Sequence, residues 1–280
     1  MRAVCQPYPP VAFDDDTGVR PLGDGTWEGR IEESWYAGLG PLGGYVMAIV
    51  LRAILLVTGD EARQPRTMTV QFLRAPKAGA VTVCPTVERA GRSLTTVTAR
   101  LEQEGQLMAL ALAALSAPRP GPLISEAPMP EAAPASAREM PPVAPGRLAP
   151  PPFTGRVTME TRFGARPFSG ADRSEVGGWM GLREKRPIDA MTVAVLADAW
   201  FPAPWPRLRK LAPAPTIELT VHFRAPLPCP TPCCWGDSTR AWYATASSTR
   251  TASCGRPTAR SWPARASSGC CSTPSCSPSR

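Results

Sequence analysis

An α+β fold made of two copies of one unit, each a helix wrapped by antiparallel strands, is predicted by three observations. First, TMTVQFLRAP (Thr67 to Pro76) recurs as IELTVHFRAP (Ile217 to Pro226), with Phe72 and Phe223 151 residues apart. A shared T-V-x-F and R-A-P, with one residue of slippage, marks a duplicated unit. Second, each copy follows an apolar helical stretch, Gly43 to Val57 in one half and Ile188 to Phe201 in the other. Third, the residues after the first copy alternate as strands do.

The elements follow in order. Residues 1–42 read as an extended lead-in with turns at Asp24-Gly25 and Gly40-Pro41. Trp27, Ile31 and Trp35 recur at a helical interval, but Gly25 and Gly29 favour strand or irregular structure. Gly43-Gly44 opens a helix that is apolar nearly all round apart from Arg52, so it should be buried on most sides. Strands are expected at Thr67 to Ala75, Ala80 to Glu88, Ser93 to Gln103 and Gln106 to Leu115. In the third, Val97, Ala99 and Leu101 alternate with Thr96, Thr98 and Arg100, and Glu104-Gly105 turns it tightly into the fourth.

Twelve prolines between Pro118 and Pro152 exclude regular structure and predict a stiff, extended linker. The second unit begins near Phe153, with strands at Val157 to Phe168 and Gly177 to Arg183, then the second helix and a strand from Ile217 to Ala225. After Pro228 the strands needed to complete it are not evident. Residues 229–280 are rich in Ser, Thr, Ala, Arg, Pro and Cys without periodicity, and should stay disordered. The expected organisation is therefore 1–117, a linker at 118–152, a shortened unit at 153–228 and a tail at 229–280.

Composition narrows the function. With 43% hydrophobic residues in 280, a sizeable core can form. Met1 to Pro10 has no apolar leader core, and the apolar run Val46 to Val57 contains Arg52 and falls short of the ~20 residues a membrane span needs. A cytoplasmic protein that does not enter membranes is expected. The net charge is +8, but residues 229–280 hold six arginines against the single acid Asp237, so the body is near neutral and nucleic acid is not an expected partner. Seven of nine cysteines crowd that tail in no zinc spacing, and the one histidine, His222, lies in a strand. No metal site and no cofactor are expected.

GPLGGYVMAIVLRA, a strand ending F-x-R-A-P and VERAGRSLTTVTARLEQEGQLMALALAAL, followed in the second half by VLADAWF and PTIELTVHFRAP, resemble the type II acyl-CoA thioesterases. The resemblance covers roughly residues 10–117 and 153–228. It implies a double hotdog: two helix-wrapped antiparallel sheets in tandem, here with the second incomplete. It also implies hydrolysis of acyl-CoA without a covalent intermediate, by a water that an aspartate, a threonine and a glutamine orient. The aspartate falls on Asp198 and the threonine on Thr216. Among Val195, Leu196, Trp200 and Phe201, a carboxylate is partly desolvated and suited to take a proton from water. Gly43, Gly44 and Tyr45 fall at the substrate, where a helix start offers free N–H groups to a thioester oxygen. Tyr45 stands where some relatives have glutamine. A homo-oligomer is compatible with the resemblance. A non-catalytic acyl-CoA-binding protein is the alternative, because the glutamine segment is missing. A hydratase would want an Asp/His dyad on the helix, which His222 cannot supply.

The tail carries a concealed pattern. Read one base earlier, each codon takes its second base from the first base of the present codon, so Trp, Cys, Tyr and many Ser codons become apolar ones. With GC-rich codons, Trp235 to Cys271 then yields strands, a D-E-D-G-E hairpin and a glutamine across the Ala266–Ser267 codons. This predicts a frameshift between about Pro226 and Cys233. Resequencing the gene across that window should return a displaced frame; an intact frame encoding this tail would sink the idea.

Overall fold

The computed structural model describes residues 12–119, 150–184, 186–223, 227, 242–245 and 251–252. Helix α1 (Ala12–Asp16) and strands β1 (Arg20–Pro21) and β2 (Trp27–Ile31) form the lead-in. Helix α2 (Gly43–Thr58) precedes β3 (Gln64–Phe72), β4 (Gly79–Ala90), β5 (Thr95–Gln103) and β6 (Gln106–Ser116). The second half holds β7 (Val157–Gly164), β8 (Glu175–Leu182), α3 (Ala190–Asp198) and β9 (Glu218–His222), then β10 (Trp242–Thr245) and β11 (Thr251–Ala252).

One sheet runs β1-β2-β4-β5-β6-β3-β9-β11, and a second runs β10-β8-β7. The two copies of the repeated motif thus lie side by side, antiparallel, with Thr69 opposite Thr220. Equivalent residues oppose one another only about that pair, which marks a local two-fold. The threonine hydroxyls meet at 2.9 Å. Just beyond the strand ends the bonding continues on both sides, Phe72 N–H to Ile217 C=O at 2.8 Å and Phe223 N–H to Arg66 C=O at 2.9 Å.

Alternation along the first half's strands sends Met68, Val70, Val81, Val83, Val97 and Leu101 into the core. Helix α2 lies there, with Ile49, Val50 and Ala53 essentially inaccessible, as its apolar circumference requires. Burying each such Ile or Val contributes about 1.5–3 kcal/mol. Gly59 stops the helix, at φ +64, returning its N–H to Leu55. Arg52, the one charge on α2, leaves the core to meet Asp14 at 2.9 Å and the Thr17 hydroxyl at 2.7 Å. At Glu104-Gly105 both residues take positive φ, giving the expected hairpin between β5 and β6.

Four expectations change. The lead-in is not wholly extended: α1 forms there and joins the halves, with Asp14 paired to Arg186, Asp16 to Arg156, and the Phe13 N–H bonded to Glu184. Strand β7 ends at Gly164, where φ is +85, rather than at Phe168. Helix α3 ends at Asp198 rather than Phe201, because Pro202 disfavours helical backbone at the residue before it. Past Pro228 there are strands after all: β10 pairs antiparallel with β8, and β11 pairs parallel with β9. Open strand edges present unpaired N–H and C=O groups that recruit any segment able to extend. The rest of 229–280, and the linker over 120–149, lie outside the described residues.

The two helices cross very closely. A Cβ at Gly44 would sit 2.5 Å from the Ala194 carbonyl oxygen and 2.8 Å from that of Val195. Neither backbone atom can swing aside as a side chain would. Gly44→Ala should therefore lower unfolding free energy by ~3 kcal/mol, the upper end of ordinary overpacking. Chemical denaturation checks it, and an unchanged midpoint would show that the crossing has slack.

Candidate active site

Asp198 is the last residue of α3, only 4% exposed. Helix α3 is started by Asp189, whose side chain accepts from the Thr192 N–H at 2.8 Å. Its apolar run, from Val193 to Ala197, is buried throughout and carries Asp198 to the first turn of α2. There the Gly44 N–H donates to Asp198 Oδ2 at 3.1 Å, across 154 residues of sequence. The capping residue of α2, Leu42, has no side chain able to accept a hydrogen bond, so a carboxylate from the other half does that work. A negative charge at a helix N-terminus contributes about 0.3–1 kcal/mol, rising towards ~2 where partly buried.

Thr216 approaches from the other side, its hydroxyl donating to Asp198 Oδ1 at 3.4 Å, a long bond. It is held in place because the next residue, Ile217, accepts the Phe72 N–H. Gly43 is half-buried, and a Cβ there would meet Asp198 Oδ2 and the Phe72 ring edge, each at 2.9 Å. Asp198, Thr216, Gly43 and Gly44 are therefore one constellation. It draws on both halves, and the strand pairing brings it together.

Tyr45 is the exception. Its ring is fully buried and stacks on Trp35 at 5.1 Å, with an interplanar angle of 9°. Its hydroxyl lies within donating distance of two carbonyls, those of Asp16 (2.8 Å) and Arg30 (2.9 Å), one of which takes its proton, while the Glu32 N–H approaches it at 3.3 Å. Burial also pushes its pKa upward, well beyond the ordinary phenol value. Helical geometry explains the difference: consecutive side chains leave a helix about 100° apart, so the residue after Gly44 faces the first half's core.

Sequence reasoning missed Phe72 as part of this neighbourhood, because within the repeat it looks like an ordinary strand phenylalanine. Its counterpart Phe223 is only 5% exposed and packs in the core. Trp200, two residues past Asp198, is also buried, and its indole N–H has no hydrogen-bond partner among the described residues. Among the described residues no group of three His, Cys, Asp or Glu side chains could hold a metal ion. No helix among them is long and apolar enough to cross a membrane.

Residues 31–117 match the family profile of an acyl-CoA thioesterase N-terminal domain, and residues 126–262 that of the C-terminal domain. An uncharacterized protein of Mycobacterium tuberculosis is 26% identical, with 71% of this chain and 75% of that protein covered. Among solved structures, a hotdog-fold protein of unknown function from Alicyclobacillus acidocaldarius superposes with a TM-score of 0.69 at 28% identity, covering 77% of this chain and 79% of that one. A candidate thioesterase II from Thermobifida fusca gives a TM-score of 0.60 at 24% identity, with coverage of 84% and 85%.

Proposed function

The chain belongs to the acyl-CoA thioesterase family, and we propose that it hydrolyses acyl-CoA through a water held between Asp198 and Thr216. The observation that carries this reading is the buried Asp198 carboxylate, poised between the first turn of α2 and the Thr216 hydroxyl. Thr216 orients the water. Asp198 takes its proton as the oxygen attacks the thioester carbonyl carbon. The Gly43 N–H, which unlike those of Gly44, Tyr45 and Val46 is not engaged by Asp198 or Leu42 among the described residues, would face the charge that develops on the carbonyl oxygen. The C–S bond then breaks, the proton passes to the departing sulfur, and a carboxylic acid and a free thiol result. Tyr45 has no part in this, being committed to the core.

The glutamine read across the Ala266–Ser267 codons would be the third group on the water. The reading thus extends to the gene: a frame-restored chain is the competent enzyme, and the chain as written is poorly soluble and turns over little.

Asp198→Asn keeps an oxygen for the Gly44 N–H and removes the base. It should lower kcat on acyl-CoA by ~10²–10⁴-fold and lower the thermal midpoint modestly, through loss of the charge at the start of α2. Thr216→Val should cost about tenfold, equivalent to ~1.4 kcal/mol of activation free energy. Undiminished turnover by Asp198→Asn would remove Asp198 from the chemistry. Acyl-CoA binding without any turnover, in both frames, would favour a non-catalytic acyl-CoA-binding protein. The two frames should be assayed side by side on a panel of acyl-CoAs. Equal rates would show that the tail is irrelevant and that Asp198 with Thr216 suffices.

A further inference from the structure

The loop joining Asp198 to Thr216 carries Arg207, Arg209 and Lys210 and no acidic residue. It lies against the loop at 165–174, which adds Arg166 and Arg173 against the single acid Asp172. All five cationic side chains are exposed, and none forms an ion pair among the described residues. Elsewhere the described surface pairs many of its arginines, as with Arg20 and Glu28 or Arg63 and Asp60. Arg74, Lys77, Arg89 and Arg92 also stand outside any ion pair among the described residues, so what sets these five apart is their gathering on two interlocked loops, where self-repulsion favours a visiting anion.

These loops are built rather than slack. The Phe168 N–H donates to the Trp205 carbonyl at 2.8 Å, Gly170 N–H to Leu208 at 3.1 Å and Ala171 N–H to Pro206 at 2.9 Å. The Trp205 indole N–H closes the loop on the Ala212 carbonyl at 3.1 Å, and its ring packs on Phe168 with centroids 5.1 Å apart. Gly170, at φ +70, has no Cβ, and one built there would lie 2.6 Å from the Arg209 guanidinium carbon. The Arg209 guanidinium thus lies over the Gly170 backbone, in the space a Cβ would take.

We propose that this paired loop anchors the phosphates of the coenzyme A nucleotide while the thioester lies at Asp198. The proposal rests on the acyl-CoA reading above and adds a subsite to it. Coenzyme A carries its anionic phosphates at the end remote from sulfur, and arginine forks match phosphate oxygens in pairs. The tether has suitable reach: Lys210 is six residues from Thr216, at most about 22 Å of extended chain. Exposed cations also draw a polyanion in over distances of a Debye length, about 10 Å at 0.1 M salt.

The test is a binding titration of the full-length chain with coenzyme A, 3′-dephospho-coenzyme A and pantetheine, compared with the R209E/K210E double variant. Neither residue belongs to the constellation around Asp198, and both are exposed, so an unchanged thermal midpoint is expected. The wild type should bind coenzyme A more tightly than its dephospho form, and pantetheine weakest. The double variant should lose at least tenfold in affinity for coenzyme A and nothing for pantetheine, and the wild-type preference should shrink as salt rises. Equal coenzyme A affinity in wild type and variant would overturn the anchor and leave the hydrolytic reading intact. Absence of coenzyme A and pantetheine binding by the wild-type chain in both frames would overturn the reading on which the anchor rests. Loss of binding only to an acidic phosphopantetheinyl carrier protein would assign the loops to a protein partner and sink the nucleotide proposal.

Discussion

The antiparallel pairing of β3 with β9 sets the geometry on which everything else depends. Backbone hydrogen bonds fix its register, with Thr69 opposite Thr220, and a slip of one residue would turn every inward side chain out. Once the two copies of the motif pair this way, the helices that precede them must cross on the same side of the joint sheet. Gly43-Gly44 lets that crossing be close, and closeness puts the carboxylate of Asp198 on a helix start in the other half. The site therefore follows from duplication: neither half alone has both the acid and the N–H groups.

On the proposed reading, a carboxylate in that position serves two ends. It caps α2 where Leu42 cannot, and it sits where water could meet a thioester. The two roles compete for the same oxygens, since each hydrogen bond that stabilises the resting fold also occupies a lone pair. The Thr216 contact, at 3.4 Å, is the looser of the two. A water entering between Thr216 and Asp198 would therefore displace a weak bond, while the tighter contact to Gly44 N–H kept the carboxylate aimed.

Much of this fold was legible in the chain. The repeat announced the duplication, and the apolar circumference of α2 announced its burial. The strands over 64–116 lie within a few residues of their expected bounds, because strict alternation is hard to mistake. What escaped was fixed by tertiary contact. Five residues of α1 carry no periodicity to read; they are helical while their aspartates meet Arg52, Arg156 and Arg186. Tyr45 was misplaced because adjacency in sequence is not adjacency on a helix. Asp198, Thr216 and the paired glycines could be named from family likeness, but only the crossing of α2 and α3 shows why they meet. The strands β10 and β11 were hidden for another reason: the strand character of so short a segment comes from the edge it joins rather than from its own residues.

Charge teaches the same lesson at a larger scale. Summed over the chain, the excess lies mostly in the arginines beyond residue 229, and the remaining body looks too neutral to attract a polyanion. A sum has no geometry, however. The acids of the body are spent in particular places: Asp14, Asp16 and Glu184 around Arg156 and Arg186, Asp60 on Arg63, Glu28 on Arg20. The loop between Asp198 and Thr216 receives none of them. A nucleic acid would need such a footprint extended along a surface, whereas five cations on two laced loops match a ligand whose charge is concentrated at one end. Near-neutrality of the body and strong local attraction are thus compatible, and the distinction between them could be drawn only after the fold had placed each charge.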